Sequence, residues 1–178
     1  MASFYKLNIK EIKKETSDTV SIAFHVPTEL APFYQFKAGQ YVNIKLTLDN
    51  KELRRAYSIC AAPEQNELRI AVKQISNGLF SNYANTQLKV GDLLEVGTPE
   101  GNFLYEPQFL KQKNYAAFAV GSGITPVISI LKSILLSEPN SSFVLVYGNK
   151  NPDQTIFKEE LHQLQLQYTG RFFVHYVY

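Results

Sequence analysis

The hydrophobic pattern of this chain changes period after Phe103, and that change limits the folds open to it. Before it, apolar and polar residues alternate: Tyr5, Leu7, Ile9; Val20, Ile22, Phe24, Val26; Val42, Ile44, Leu46, Leu48; Leu68, Ile70, Val72; Leu94, Val96. Successive side chains of a strand point to opposite faces, so such runs predict antiparallel strands with one covered face. Thr16-Ser17-Asp18 and Asp49-Asn50 carry turn chemistry between the runs. Short alternating strands with regular turns predict a small barrel or sandwich.

Beyond Pro107 and the polar stretch Lys111 to Asn114 the reading is different, and a domain boundary falls between 108 and 109. Tyr115 to Val120 (YAAFAV) is apolar throughout, which predicts a parallel strand buried on both faces. It runs into Gly121 to Pro126 (GSGITP), after which Val127, Ile130, Leu131, Ile134 and Leu135 keep helical spacing. Pro126 suits the first turn of that helix, where its missing N–H costs nothing, and Pro139 is a stop signal. A second apolar strand, Phe143 to Tyr147, ends at Gly148-Asn149. Phe157, Leu161, Leu164 and Tyr168 then mark one face of a second helix, Gly170 ends it, and Phe172 to Tyr178 is a third strand. The expected architecture is an antiparallel β-barrel or sandwich over residues 1–108, followed by a βαβαβ Rossmann-like half over 109–178.

Composition removes several classes of function. With 45% hydrophobic residues the chain can fill a core, and a formal charge of +2 offers no basic tract for nucleic acid or anionic membrane. No apolar run is long enough to cross a bilayer and the N-terminus has no signal core, so a cytoplasmic protein is expected. Cys60 is the only cysteine, which excludes an internal disulfide, a four-cysteine metal site and an iron–sulfur cluster within this segment. His25, His162 and His175 read as packing or surface residues.

Leu53 to Cys60, LRRAYSIC, concentrates unusual chemistry. Arginine presents a rigid fork suited to phosphate oxygens, tyrosine a flat aromatic face, and serine a small hydroxyl. In a strand, Arg55, Tyr57 and Ile59 share one face while Ala56 and Ser58 point the other way. An arginine-rich strand with one tyrosine is also what a solvated sheet edge looks like. Gly121-Ser122-Gly123 lets a phosphate approach the backbone where a helix begins, although Pro126 occupies the place of a third glycine. A GxG turn can equally serve tight packing.

Arg55-Ala56-Tyr57-Ser58, Gly78-Leu79-Phe80-Ser81 and Gly121 to Pro126, in that order, resemble the ferredoxin–NADP reductase superfamily over nearly the whole chain, which implies that residues 1–108 form an FAD-binding antiparallel Greek-key β-barrel. The wording ELRRAYSIC, VKQISNGLFSNYA and YGN with a following basic residue is most similar to the reductase subunits of phenylacetyl-CoA oxygenases, which act in phenylacetate catabolism. The resemblance implies that Arg55 binds the FAD diphosphate, that Tyr57 stacks on the isoalloxazine and that Ser58 hydrogen-bonds its reactive edge. Tyr57 and Ser58 are thus the catalytic pair. It places Ala71, Val72 and Lys73 along the ribityl and diphosphate region, and Gly78, Leu79, Phe80 and Ser81 around the diphosphate. Gly121, Ser122, Gly123, Thr125 and Pro126 become the nicotinamide-nucleotide loop, with Gly148 and Asn149, followed by Lys150, a second nucleotide edge. Arg54 is read as a solvated neighbour. The implied cofactors are FAD and NAD(P)H; the residues leave NADPH and NADH both open, and the resemblance favours NADPH.

Ala38 stands where the family commonly has proline, a change expected only to loosen a turn. Family members of this kind continue past the position of Tyr178 through further strands and often an iron–sulfur domain. The sequence therefore reads as a fragment whose full-length form passes electrons to an oxygenase, with a sheet edge at FFVHYVY open to self-association. A free flavin reductase, a flavohaemoglobin-type reductase domain, or a module that binds FAD without turnover are the alternatives.

Overall fold

In the computed structural model, which describes residues 3–48 and 51–178, two hydrophobic cores form at the two ends of the chain. The first belongs to six strands: β1 (Phe4–Thr16), β2 (Thr19–His25), β3 (Tyr41–Leu48), β4 (Lys51–Ser58), β5 (Leu68–Lys73) and β6 (Leu93–Gly97). Their order is β4-β3-β6-β1-β2-β5, every pairing antiparallel. The sheet curls until its edges meet: Ile59 bridges Ile70, and the Cys60 N–H donates to the Arg69 carbonyl at 2.9 Å. The alternating apolar residues Leu7, Ile22, Ile44, Ile70, Leu94 and Val96 fill the interior, as their period requires. The turn expected at Asp49-Asn50 lies outside the described residues. Helix α1 (Leu79–Thr86) follows β5 and packs against it.

The second core belongs to β7 (Asn114–Val120), β8 (Ser142–Gly148) and β9 (Phe172–Val177), a parallel sheet in the order β7-β8-β9. Helices α2 (Ile124–Ser137) and α3 (Lys158–Gln167) connect them. One expectation fails here. β7 is parallel, but it is not buried on both faces: Ala119 is buried, whereas Phe118 and Val120 are 79% and 76% exposed. The same alternation continues through β9, where Phe172 is buried while Phe173 and Val177 are exposed. Successive right-handed crossovers in one direction put both helices on the same side, so the opposite face of this apolar sheet is bare.

Hydrogen bonds from α2 tie the halves together. Ser129 Oγ donates to the Ala61 carbonyl at 2.6 Å and accepts from the Gly39 N–H at 3.3 Å. One turn on, Ser133 Oγ donates to Glu64 at 2.7 Å. Serines four residues apart share a helix face, so α2 turns this polar pair to the barrel and its apolar side to β7 and β8. The buried Glu138 carboxylate, just past α2, accepts from the hydroxyls of Tyr105 and Tyr115 and from the Gln108 N–H, pinning the connecting segment.

Candidate functional site

The docking of α2 on the barrel brings the three sequence motifs to one cleft. Its lining includes Arg55, Ala56, Tyr57 and Ser58 from β4, Ala71 and Lys73 from β5, Gly78 to Ser81 from the start of α1, and Ser122 and Thr125 from the turn after β7; it encloses about 320 Å³. Residues far apart in sequence, such as Tyr57, Ser81 and Thr125, therefore face one volume. Strand β4 keeps an unbroken antiparallel register with β3 through Ser58, so Arg55 with Tyr57 and Ala56 with Ser58 alternate as expected. All four nevertheless line the cleft, which wraps the end of β4 at the edge of the sheet order.

The two arginines differ in their partners. Arg54 is engaged by Glu52 at 2.9 Å and lies over the Phe4 ring. Arg55 is exposed, donates at 2.7 Å to the neighbouring Arg54 carbonyl, and has no carboxylate within ion-pairing distance among the described residues. Tyr57 is half-buried with its ring 5.5 Å from that of Phe80. Burial pushes its phenol up to about 12, against the opposing Arg55 charge, so it is neutral at physiological pH and offers a ring rather than a proton. Lys73 lines this cleft and also a neighbouring one formed by Val120, Gly121, Gly148, Asn149, Lys150 and Gln154. Its ammonium is 3.6 Å from Asp18.

The glycines separate into two kinds. A Cβ on Gly78 would come within 2.3 Å of Ser81 Oγ and 2.5 Å of Ile75, so an added methyl there must displace both side chains, and packing favours glycine. A Cβ on Gly121 or Gly123 would meet nothing within 4 Å. Tight packing therefore does not account for that pair, and the open space beside Gly121, at φ +50°, is what a phosphate approaching the backbone needs. With the Arg55 fork, which has no carboxylate partner among the described residues, and the Tyr57 ring, the residues present fit a flavin dinucleotide and a second nucleotide. Other proposed site residues sit differently. Val72 is fully buried in the barrel, and Gly123 and Pro126 line neither cleft. The Ser81 hydroxyl is already engaged, accepting from the Ile75 N–H and donating to the Gly78 carbonyl, both at 3.3 Å. Cys60 is buried, and burial pushes its thiol up to about 12, which leaves it inert. Gln154, on the second cleft, was not distinguishable in the sequence, where it reads as one more polar loop residue.

Comparison with known proteins now bears on this geometry. Residues 6–105 match the model of the oxidoreductase FAD-binding domain. The chain belongs to that family. Residues 118–178 match the oxidoreductase NAD-binding domain, so a flavin-type and a nicotinamide-nucleotide-type domain follow one another, as the motif order led us to expect. Among curated relatives, a component of the 1,2-phenylacetyl-CoA epoxidase of Escherichia coli K12 is 42% identical over 171 residues, 96% of this chain and 48% of its own. The chain thus spans about half the length of the curated relatives it matches. Phthalate dioxygenase reductase, described as a modular structure for electron transfer from pyridine nucleotides to [2Fe-2S], superposes with a TM-score of 0.78 at 29% identity, over 98% of this chain and 52% of its own. A ferredoxin NADP+ reductase from Neisseria gonorrhoeae, solved with bound FAD and NADP, superposes with a TM-score of 0.79 at 25% identity, over 99% of this chain and 68% of its own. Among the described residues, no helix is long and apolar enough to cross a membrane.

Proposed function

We propose that this chain is the flavin- and nicotinamide-binding part of an NAD(P)H-dependent reductase, in which the cleft between β4, α1 and the turn after β7 seats FAD against the nicotinamide. The observation that carries the reading is the convergence of Arg55, Tyr57, Gly78 and Thr125 on one cleft, beside glycines that packing does not require. When bound, the two cofactors supply the hydride chemistry itself. The chain binds and orients them. Arg55 offers its fork to the diphosphate, Tyr57 supports the ring system, and Ser58 donates to its edge. Ala71 and Lys73 form the wall beside the ribityl chain, with Val72 between them turned into the barrel core, and Gly78 to Ser81 face the diphosphate with backbone N–H groups. Gly121, Ser122 and Thr125 hold the nicotinamide nucleotide, in a turn that Gly123 and Pro126 shape without lining either cleft, with Gly148 and Asn149 on its far side and NADPH the favoured donor. The domain boundary falls between 108 and 109. The full-length protein is a cytoplasmic reductase component that passes electrons through an iron–sulfur centre to an oxygenase; the electron route is supported by the name of the phthalate dioxygenase reductase, which includes transfer to [2Fe-2S].

Titration of FAD into the protein, followed by flavin fluorescence, tests the cleft. Arg55→Ala is expected to weaken binding by about 10- to 100-fold, the worth of one charge-assisted hydrogen bond or two, while Arg54→Ala leaves it within about twofold. Equal losses in the two variants would refute the assignment of Arg55.

A further inference from the structure

The turn between β5 and α1 is held by a side chain that the motif does not include. Asn82, in the first turn of α1, donates from Nδ2 to the Gly78 carbonyl at 2.7 Å and to the Ile75 carbonyl at 3.4 Å. Its Oδ1 accepts from Gln74 Nε2 at 2.5 Å. One amide thus grips the first, second and last residues of the segment 74–78. Within that segment Asn77 sits at φ +59°, a left-handed conformation that asparagine tolerates better than most other non-glycine residues. The other end is anchored too, with the Gln74 N–H donating to the Asp18 carbonyl at 2.7 Å. Asparagine is a poor helix former because its amide competes for nearby backbone groups, and here that competition is directed at the turn.

Drawing the Ile75 and Gly78 carbonyls onto the helix leaves the opposite polarity for the cleft. The N–H groups of Leu79, Phe80 and Ser81, at the start of α1, have no acceptor within the helix, and these residues line the cleft. We propose that Asn82 is a positioning residue for the flavin site. It holds the 74–78 turn in the one conformation that presents these N–H groups as a ready-made cradle for the diphosphate, without touching the cofactor itself. The inference rests on the FAD reading of the cleft and adds to it a residue that acts through Gly78.

Riboflavin separates this role from a general structural one, since it carries the ring system and lacks the diphosphate. Affinities for FAD and riboflavin are to be measured on the wild-type chain, Asn82→Ala and Gln74→Leu. Asn82→Ala is expected to lose about tenfold in FAD affinity, and Gln74→Leu about threefold, each with riboflavin affinity unchanged. FAD affinity equal to wild type in both variants, or FAD and riboflavin affinities falling together, overturns the proposal. If Asn82→Ala does not fold, Gln74→Leu decides alone, because it leaves α1 intact. A wild-type chain that binds neither flavin overturns the FAD reading and this inference with it, whereas wild-type binding with unaltered variants overturns this inference only.

Discussion

Gly78 and Gly121 open two of the turns that border the cleft, and the same substitution should affect them in different ways. In Gly78→Ala the new methyl collides with Ser81 Oγ and Ile75, so thermal unfolding should reveal a loss of about 1–3 kcal/mol with or without ligand. In Gly121→Ala the methyl meets no protein atom, and only the φ of +50° opposes it, at about 1 kcal/mol. Its main effect should be on nicotinamide-nucleotide affinity, read by titration with NADP⁺. Were Gly121→Ala to destabilise the chain as much as Gly78→Ala without affecting that affinity, the open space would have no ligand. The sequence revealed both glycines but not this difference. Spacing identifies a turn, whereas only coordinates show what fills the space beside it. Asn82 and Gln154 were illegible for a related reason, since a single amide in a loop or helix has no periodic signature.

At the scale of elements, Glu138 joins the segment 105–115 to the end of α2. Burial opposes its ionisation, but the Gln108 N–H, Ser141 and the two tyrosine hydroxyls outweigh burial and hold its carboxyl below the ordinary glutamate value. A depressed folded-state value stabilises the fold fully above the unfolded glutamate pKa of about 4.3, and that contribution is lost as pH falls through the lower folded value. Glu138→Gln should cost about 2–3 kcal/mol at neutral pH and flatten the fall in melting temperature below about pH 4.3. An unchanged acid limb in the variant would show that this carboxylate does not link the halves. The elements themselves were largely legible: the five alternating runs became β1, β2, β3, β5 and β6, the LRRAYSIC stretch fell on β4, and the helical spacing from Val127 to Leu135 became α2. The exposed face of β7 was not legible, because an apolar run gives no sign of which face a helix will cover, and here both helices lie on one side.

At the scale of the whole molecule, Phe118, Val120, Phe173 and Val177 leave an apolar sheet face in water beside the open edge of β9. Contiguous apolar surface of this kind drives association, and an unpaired edge offers it a template. Sedimentation velocity of the 178-residue chain should show mass rising with concentration, and Phe118→Lys should suppress that rise without lowering the melting temperature, since the side chain is exposed. A monomer at all concentrations would mean that this face is satisfied by solvent. The order of the two halves was legible because each of the three motifs carries a backbone or charge requirement of its own. Their convergence was not, because it depends on Ser129 and Ser133 docking α2 on the barrel, a contact across about seventy residues of chain.

The most direct test of the central claim is spectroscopic. The purified chain is loaded with FAD, freed of excess cofactor and titrated with NADPH in the absence of oxygen while the flavin absorbance is followed. One FAD retained per chain, and bleached by NADPH, is the result expected if β4, α1 and the turn after β7 bring flavin and nicotinamide together. A chain that retains no FAD, or whose bound flavin keeps its oxidised spectrum in excess NADPH, would contradict it.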